Sequence, residues 1–199
     1  GNKMSTNNKI YTNLALSFLI GIILSSIPLL MSGNAYYRDD MQTQYMPTFY
    51  SIGSMLLNYH QIPFMTTHSW FGGNIAGEFQ YGIFNPIELA LYSFLPIIHS
   101  LPAGAGFLAV IHYGILSSGV FFLSRTLGIS NKYSYIAAIT VVLNNFIFYW
   151  FAESWFPEFS SIAFMVWALA FVFRAKESKW SFAAAVVATY LTITTGFPQ

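Results

Sequence analysis

The chain has 199 residues, of which 55% are hydrophobic, 19% aromatic and only 8% charged, with a formal net charge of +1. A soluble domain carries about a quarter charged residues, so this composition excludes an ordinary water-facing surface and indicates a polytopic membrane protein. Cysteine is absent, which excludes disulfides and thiolate metal sites.

In chain order, residues 1–9 read as a cytoplasmic N-terminus, with Gly1-Asn2-Lys3 before Met4 resembling an expression scar. Residues 10–37 contain no Asp, Glu, Lys or Arg, and Leu14 to Met31 form an apolar core. A membrane-crossing helix needs about 20 such residues. The h-region of a secretory signal peptide is shorter, about 7–15 residues, so an uncleaved first span is the expectation.

The stretch "YYRDDMQTQY", residues 36–45, follows that span and sets Arg38, Asp39 and Asp40 side by side. It opens a long loop, residues 38–101. The loop is rich in Trp, Phe, Tyr and Met, a composition unlike that of a disordered segment. Within it, Tyr45, Phe49, Ile52, Leu56 and Tyr59 recur at three- and four-residue steps. That period predicts an amphipathic helix on the membrane surface, starting near Pro47.

Next comes the glycine-rich stretch "SWFGGNIAGEFQYGIFNP", residues 69–86. It lacks the spacing, the lysine and the preceding strand of a nucleotide loop. It reads either as a tight turn or as bare backbone and aromatic faces that shape a sugar or phosphate site. Pro86 to His99 is apolar but short and contains Pro96. It predicts an interfacial helix capped by Asn85, with Pro86 at its first position and Glu88 in its first turn. Leu101 to Gly104 is expected to turn the chain into the second span.

Residues 102–199 hold four further apolar runs: Gly104 to Ser124, Tyr133 to Trp150, Phe159 to Phe173, and Trp180 to about Gly196. With about five spans, every Lys and Arg except Arg38 falls on one side, which the positive-inside rule makes cytoplasmic. The acidic residues except Glu177 fall on the other. The expected fold is therefore an all-α, polytopic transmembrane bundle with a long first extracytoplasmic loop carrying interfacial helices. The chain ends directly after its fifth span, so a truncated N-terminal portion of a longer protein is expected.

Asp39 and Asp40 have two readings. Either caps the helix that follows, or one is a general base at the membrane surface, where low dielectric raises a carboxylate pKa. Arg38 reads as a snorkelling residue or a phosphate ligand. In the second external loop, "FAESWFPEFSS", Glu153 and Glu158 read as solvated charges, with Glu158 also suited to the first turn of the span that follows. His60 reads as an ordinary interfacial residue, His68 as the better phosphate candidate, and His99 and His112 as hydrogen-bonded packing residues. No histidine spacing indicates a metal.

The set Asp40, Gln44 and Tyr45, then Ile62-Pro63-Phe64, Ser69-Trp70, Gly72-Gly73-Asn74, Tyr81 and Asn85-Pro86 resembles the YfhO-type bacterial membrane proteins of the GT-C glycosyltransferase superfamily. The resemblance runs from about residue 39 to 99. It implies transfer of a sugar from a polyprenyl-phosphate carrier to an extracytoplasmic acceptor such as a cell-envelope polymer. Asp40 would be the catalytic base, with Asp39 as its alternate. Arg38, Gln44, Tyr45, His68, Trp70, Gly72, Gly73, Asn74, Tyr81 and Glu153 would line the substrate site. No organic cofactor follows from it, a divalent cation held by Asp or Glu stays open, and no nucleic-acid partner is expected. The implied location is the bacterial cytoplasmic membrane. The rival expectations are a transporter or flippase, disfavoured because no Asp, Glu, Lys or Arg lies within a span, and a noncatalytic scaffold.

Overall fold

The computed structural model describes residues 2–65, 74–75 and 77–196, and among them every regular element is helical. Helix α1 is Asn2–Met31. A turn leads into one continuous helical stretch, with a π-turn at Met41–Tyr45 followed by α2, Met46–Tyr59. The short helices α3, Pro86–Tyr92, and α4, Leu95–Ile98, precede α5, Leu101–Thr126. Then come α6, Asn131–Val142, a second π-turn at Ile147–Ala152, α7, Phe156–Arg174, and α8, Lys179–Thr194.

Among the described residues, three helical stretches are long and apolar enough to cross a membrane: Lys9–Met31, Leu101–Thr126 and Phe156–Arg174, with 23, 26 and 19 residues. Helices α6 and α8 lie where two further spans are expected, but have only 12 and 16 residues. The run from Tyr133 to Trp150 is not one helix. Asn144 breaks it, because its Oδ1 accepts from the amides of Phe146 and Ile147 at 2.9 and 3.1 Å and so starts a new turn. The entry to α5 also differs from expectation. The turn falls at His99, whose φ is 56°, and Ser100 caps the helix, so Leu101 to Gly104 are already helical.

Helix α5 is the centre of the bundle, packing against α1, α6 and α7, while α8 packs on α7. The α1–α5 contact relies on small residues at four-residue steps, Ser17, Gly21 and Ser25. The Ser17 hydroxyl donates to the Ser117 carbonyl at 3.1 Å, and the Ser117 hydroxyl returns a bond to the Ser17 carbonyl at 2.8 Å. A Cβ on Gly21 would lie 2.5 Å from the Tyr113 carbonyl oxygen, so only glycine permits this approach.

The helices of the first loop follow the expected pattern in part. Tyr45, Phe49 and Ile52 of the predicted face are buried, but Tyr59, at the last position of α2, is exposed. Gly53 lets α2 sit directly on the Tyr92 carbonyl of α3. Asn85 caps α3 as expected, accepting from Ile87 and Glu88 amides at 3.0 and 3.1 Å.

Charge separates along the bundle. Lys9, Arg125, Lys132 and Arg174 lie at the end where α1 begins and α5 and α7 finish. Asp39, Asp40, Glu153 and Glu158 lie at the other.

Replacing Gly21 by Ala should lower stability by about 1–3 kcal/mol through overpacking. Thermal unfolding in detergent measures this, and an unchanged transition would show that α1 does not dock on α5 as described.

Candidate functional site

The carboxylates do not cap the helix that they begin. Asp40 makes no side-chain bond to the helix amides, and both aspartates reach across to the α6–α7 connection. The pairing proceeds residue for residue. Arg38 Nε lies 3.9 Å from Glu153 Oε2, the Ser154 hydroxyl donates to Asp39 Oδ2 at 2.8 Å, and the Trp155 indole donates to Asp40 Oδ2 at 3.2 Å. The first and second loops thus close into one site.

Local backbone geometry produces this meeting. Asp39 has a φ of 47°, in the left-handed region that few residues other than Gly, Asn and Asp enter. A π-turn follows Asp40 directly and another immediately precedes Glu153. Each π-turn inserts extra backbone into a helical turn and re-aims its side chains, a feature common at functional sites.

The groups differ in their surroundings. Glu153 is 5% exposed, and Oε2 has no hydrogen-bond donor among the described residues. Burial pushes its carboxyl up from the ordinary carboxylate range, Arg38 partly offsets that, and Asp39 adds to it. Asp40 is half-buried, and Oδ2 alone carries a bond among the described residues. Glu158, in the first turn of α7, repels Asp40 electrostatically and has a buried, unpartnered Oε2.

Several expected site residues converge. Gln44 Nε2 donates to the Tyr81 hydroxyl at 3.2 Å, and the Tyr45 and Tyr81 rings lie 6.4 Å apart, edge to face. Burial, with Glu158 and Asp40 beside it, raises the Tyr45 phenol further above its ordinary range. Asn74 lies apart. It is exposed, and its Oδ1 accepts from the Gly77 amide at 3.0 Å, closing a local turn. His68, Trp70, Gly72 and Gly73 lie outside the described residues. His60 is the exposed, left-handed C-cap of α2. Among the described residues, no three or more His, Cys, Asp or Glu side chains group as a metal site requires.

Two features escape the sequence reading. Ser154 and Trp155 hold both aspartates, and their only sequence signal is adjacency to Glu153. The second feature is a buried pair. Glu88 sits in the first turn of α3 as expected, but it is wholly buried instead of facing solvent, and its Oε1 lies 2.7 Å from His112 Nε2, also wholly buried. His112 Nδ1 lies 2.8 Å from the Leu108 carbonyl, which can only accept, so Nδ1 carries a hydrogen. One further proton must then lie between Nε2 and Oε1. The pair holds it as either an ion pair or a neutral pair, and both arrangements have zero net charge. Glu88 Oε2 has no partner among the described residues.

Comparison with known proteins finds no family model, curated protein or solved structure that matches the chain.

Two outcomes test this geometry. Leu at either Glu88 or His112 should cost about 3–5 kcal/mol by stranding its partner in the interior, while the double replacement should cost clearly less than the sum. Additive losses in a double-mutant cycle would refute the pairing. Glu153 should titrate above the ordinary carboxylate range. Its neutral form favours the folded state, so stability from protonation is present at low pH and lost as pH rises through the raised pKa. Native protein should therefore gain stability relative to Glu153→Gln as pH falls through that window, read from paired thermal melts.

Proposed function

We propose that this chain carries the acceptor-activating site of a membrane glycosyltransferase of the GT-C type, as its resemblance to YfhO-type proteins implies. The observation that carries this reading is the setting of Asp40. One oxygen is held by the Trp155 indole, and the other carries no hydrogen bond among the described residues. The donor would be a sugar on a polyprenyl phosphate, and the acceptor a hydroxyl on an extracytoplasmic glycan or envelope polymer.

In this reaction the second Asp40 oxygen takes the proton of the acceptor hydroxyl. The hydroxyl oxygen then bonds to the anomeric carbon of the sugar. The bond from that carbon to the carrier phosphate breaks, and the phosphate leaves with the electron pair. Asp39 and Ser154 fix the loop carrying the base. Gln44, Tyr45 and Tyr81 form a polar and aromatic wall beside it, suited to a sugar ring. Glu158 lies close enough to Asp40 for the two carboxylates to repel, and Glu153 bears on Asp39 in the same way.

The lipid part of the donor needs an apolar path. A cavity of about 380 Å³ lies among α1, α3, α5, α7 and α8, lined by residues including Phe18, Ile87, Phe164, Trp167 and Leu191. It would accept one segment of an isoprenoid chain. The full proposal has five spans, with α6 and α8 completing the bundle. The N-terminus is cytoplasmic, and the carboxylate end lies outside a bacterial cytoplasmic membrane.

One observation favours a second reading, a proton-coupled transporter. The Glu88–His112 pair is an ionisable couple docked against the centre of a membrane-length helix, a feature common in transport pathways.

Sugar transfer from a radiolabelled polyprenyl-phosphate sugar, measured in membranes carrying the full chain, separates these readings. Asp40→Asn should reduce transfer by about 10²–10⁴-fold with unchanged insertion, while Glu88→Gln retains measurable transfer. Equal transfer by native protein and Asp40→Asn would remove Asp40 as the base. Absence of transfer, with pH-driven substrate uptake lost in Glu88→Gln, would establish the transporter.

A further inference from the structure

The end of the bundle opposite the carboxylates contains a second polar cavity, of about 290 Å³, lined by Ile10, Phe122, Arg125, Thr126, Arg174 and Glu177. We propose that it is a phosphate site, with Arg125 of α5 and Arg174 of α7 as its two cationic walls. The ligand class is a phosphate monoester or diester, either free in solution or in the headgroup of a lipid.

The donors in this cavity exceed their acceptors. One terminal nitrogen of Arg125 donates to the Ile129 carbonyl, but its Nε is buried and has no acceptor among the described residues. The Thr126 hydroxyl beside it is also buried and unpartnered among those residues. An unsatisfied buried donor costs about 1–3 kcal/mol, more when charged, so both groups call for an acceptor. Arg174 is already oriented. Its guanidinium lies 5.4 Å from the centroid of the Phe122 ring, and its Nε donates to Glu177 Oε2 at 2.8 Å. Its terminal nitrogens carry no hydrogen bond among the described residues.

Phosphate fits this donor set better than a carboxylate does. Its oxygens point in tetrahedral directions and can reach donors arriving from two different helices, while guanidinium groups match them in planar pairs. The ends of α5 and α7 add negative partial charge from their last carbonyls, but two full positive charges outweigh it. Ile10 and Phe122 give the cavity an apolar side, which suits the glycerol or chain root of a phospholipid.

Glu177 opposes the ligand, and its position makes it displaceable. The Arg174 and Glu177 side chains are 37% and 53% exposed, and such surface pairs contribute only about 0–1 kcal/mol. The site therefore predicts effects of opposite sign. Loss of either arginine weakens binding, and loss of Glu177 strengthens it.

Two binding experiments on the purified full chain test the proposal. One titrates inorganic phosphate by calorimetry. The other measures retention of phosphatidylglycerol, against uncharged diacylglycerol, in nanodiscs by native mass spectrometry. Arg125→Gln and Arg174→Gln should each weaken the bound probe by about tenfold or more, the loss of a charge-assisted bond. Glu177→Gln should tighten it several-fold, an increase that misfolding would not produce. Phosphate binding in solution would identify a soluble ligand, and retention of phosphatidylglycerol alone would identify a lipid headgroup. Failure of both probes to bind, or binding indifferent to both arginines, would overturn the proposal.

Discussion

The buried Glu88–His112 contact constrains both the loop and the bundle. A carboxylate and an imidazole with no solvent exposure must hold one proton between them, because a net charge of either sign would be costly in these surroundings. That requirement pins α3 against the middle of α5. Asn85, three residues earlier, caps α3 and also donates to the Leu191 carbonyl of α8 at 2.9 Å. Tyr190 donates to the Phe84 carbonyl at 2.6 Å, and Gly196 packs on the Gln80 backbone. Residues 80–88 are thus anchored to two long helices, and Tyr81, within that segment, is carried to Gln44.

The Glu88–His112 pair and the loop carboxylates are separated by aromatic rings. Tyr45 stacks on Phe49 at 5.9 Å, Phe49 stacks on Tyr92 at 4.4 Å, and Phe156 packs against both Phe49 and His112. Tyr45 faces the Asp40 group, while Tyr92 and His112 face Glu88. These rings exclude water from the Glu88 side and keep its carboxylate apart from the loop carboxylates. These ring contacts join α2 to α3 and α7.

Much of this arrangement is legible in the residues. The apolar runs place α1, α5 and α7, and the segregation of Lys and Arg reappears as one charged end. The steps from Tyr45 to Leu56 identify the buried face of α2, and Asn85-Pro86 marks the start of α3. Asn144 shows where the reading fails. A lone polar residue inside an apolar run does not show whether its side chain will face a neighbour or cap a new turn. Glu88 shows the same limit for charge. Position in the first turn of a helix favours a carboxylate electrostatically, yet here its burial depends on a histidine 24 positions away, which local pattern does not connect to it.

The site divides along the same line. Asp39 and Asp40 stand out by composition, because adjacent carboxylates are conspicuous in a chain with so few charges. Their partners are hidden because Ser154 and Trp155 are ordinary loop residues until two π-turns and a left-handed aspartate bring the loops into register. This geometry disfavours the capping explanation. A cap needs its carboxylate to face the free amides of its own helix, whereas Asp39 and Asp40 each commit an oxygen to the opposite loop. Four carboxylates near one junction, with Arg38 the cation paired among them, work against stability through mutual repulsion. The contacts that offset part of this cost are the Arg38 guanidinium beside Glu153 and the Ser154 and Trp155 donors on the two aspartates.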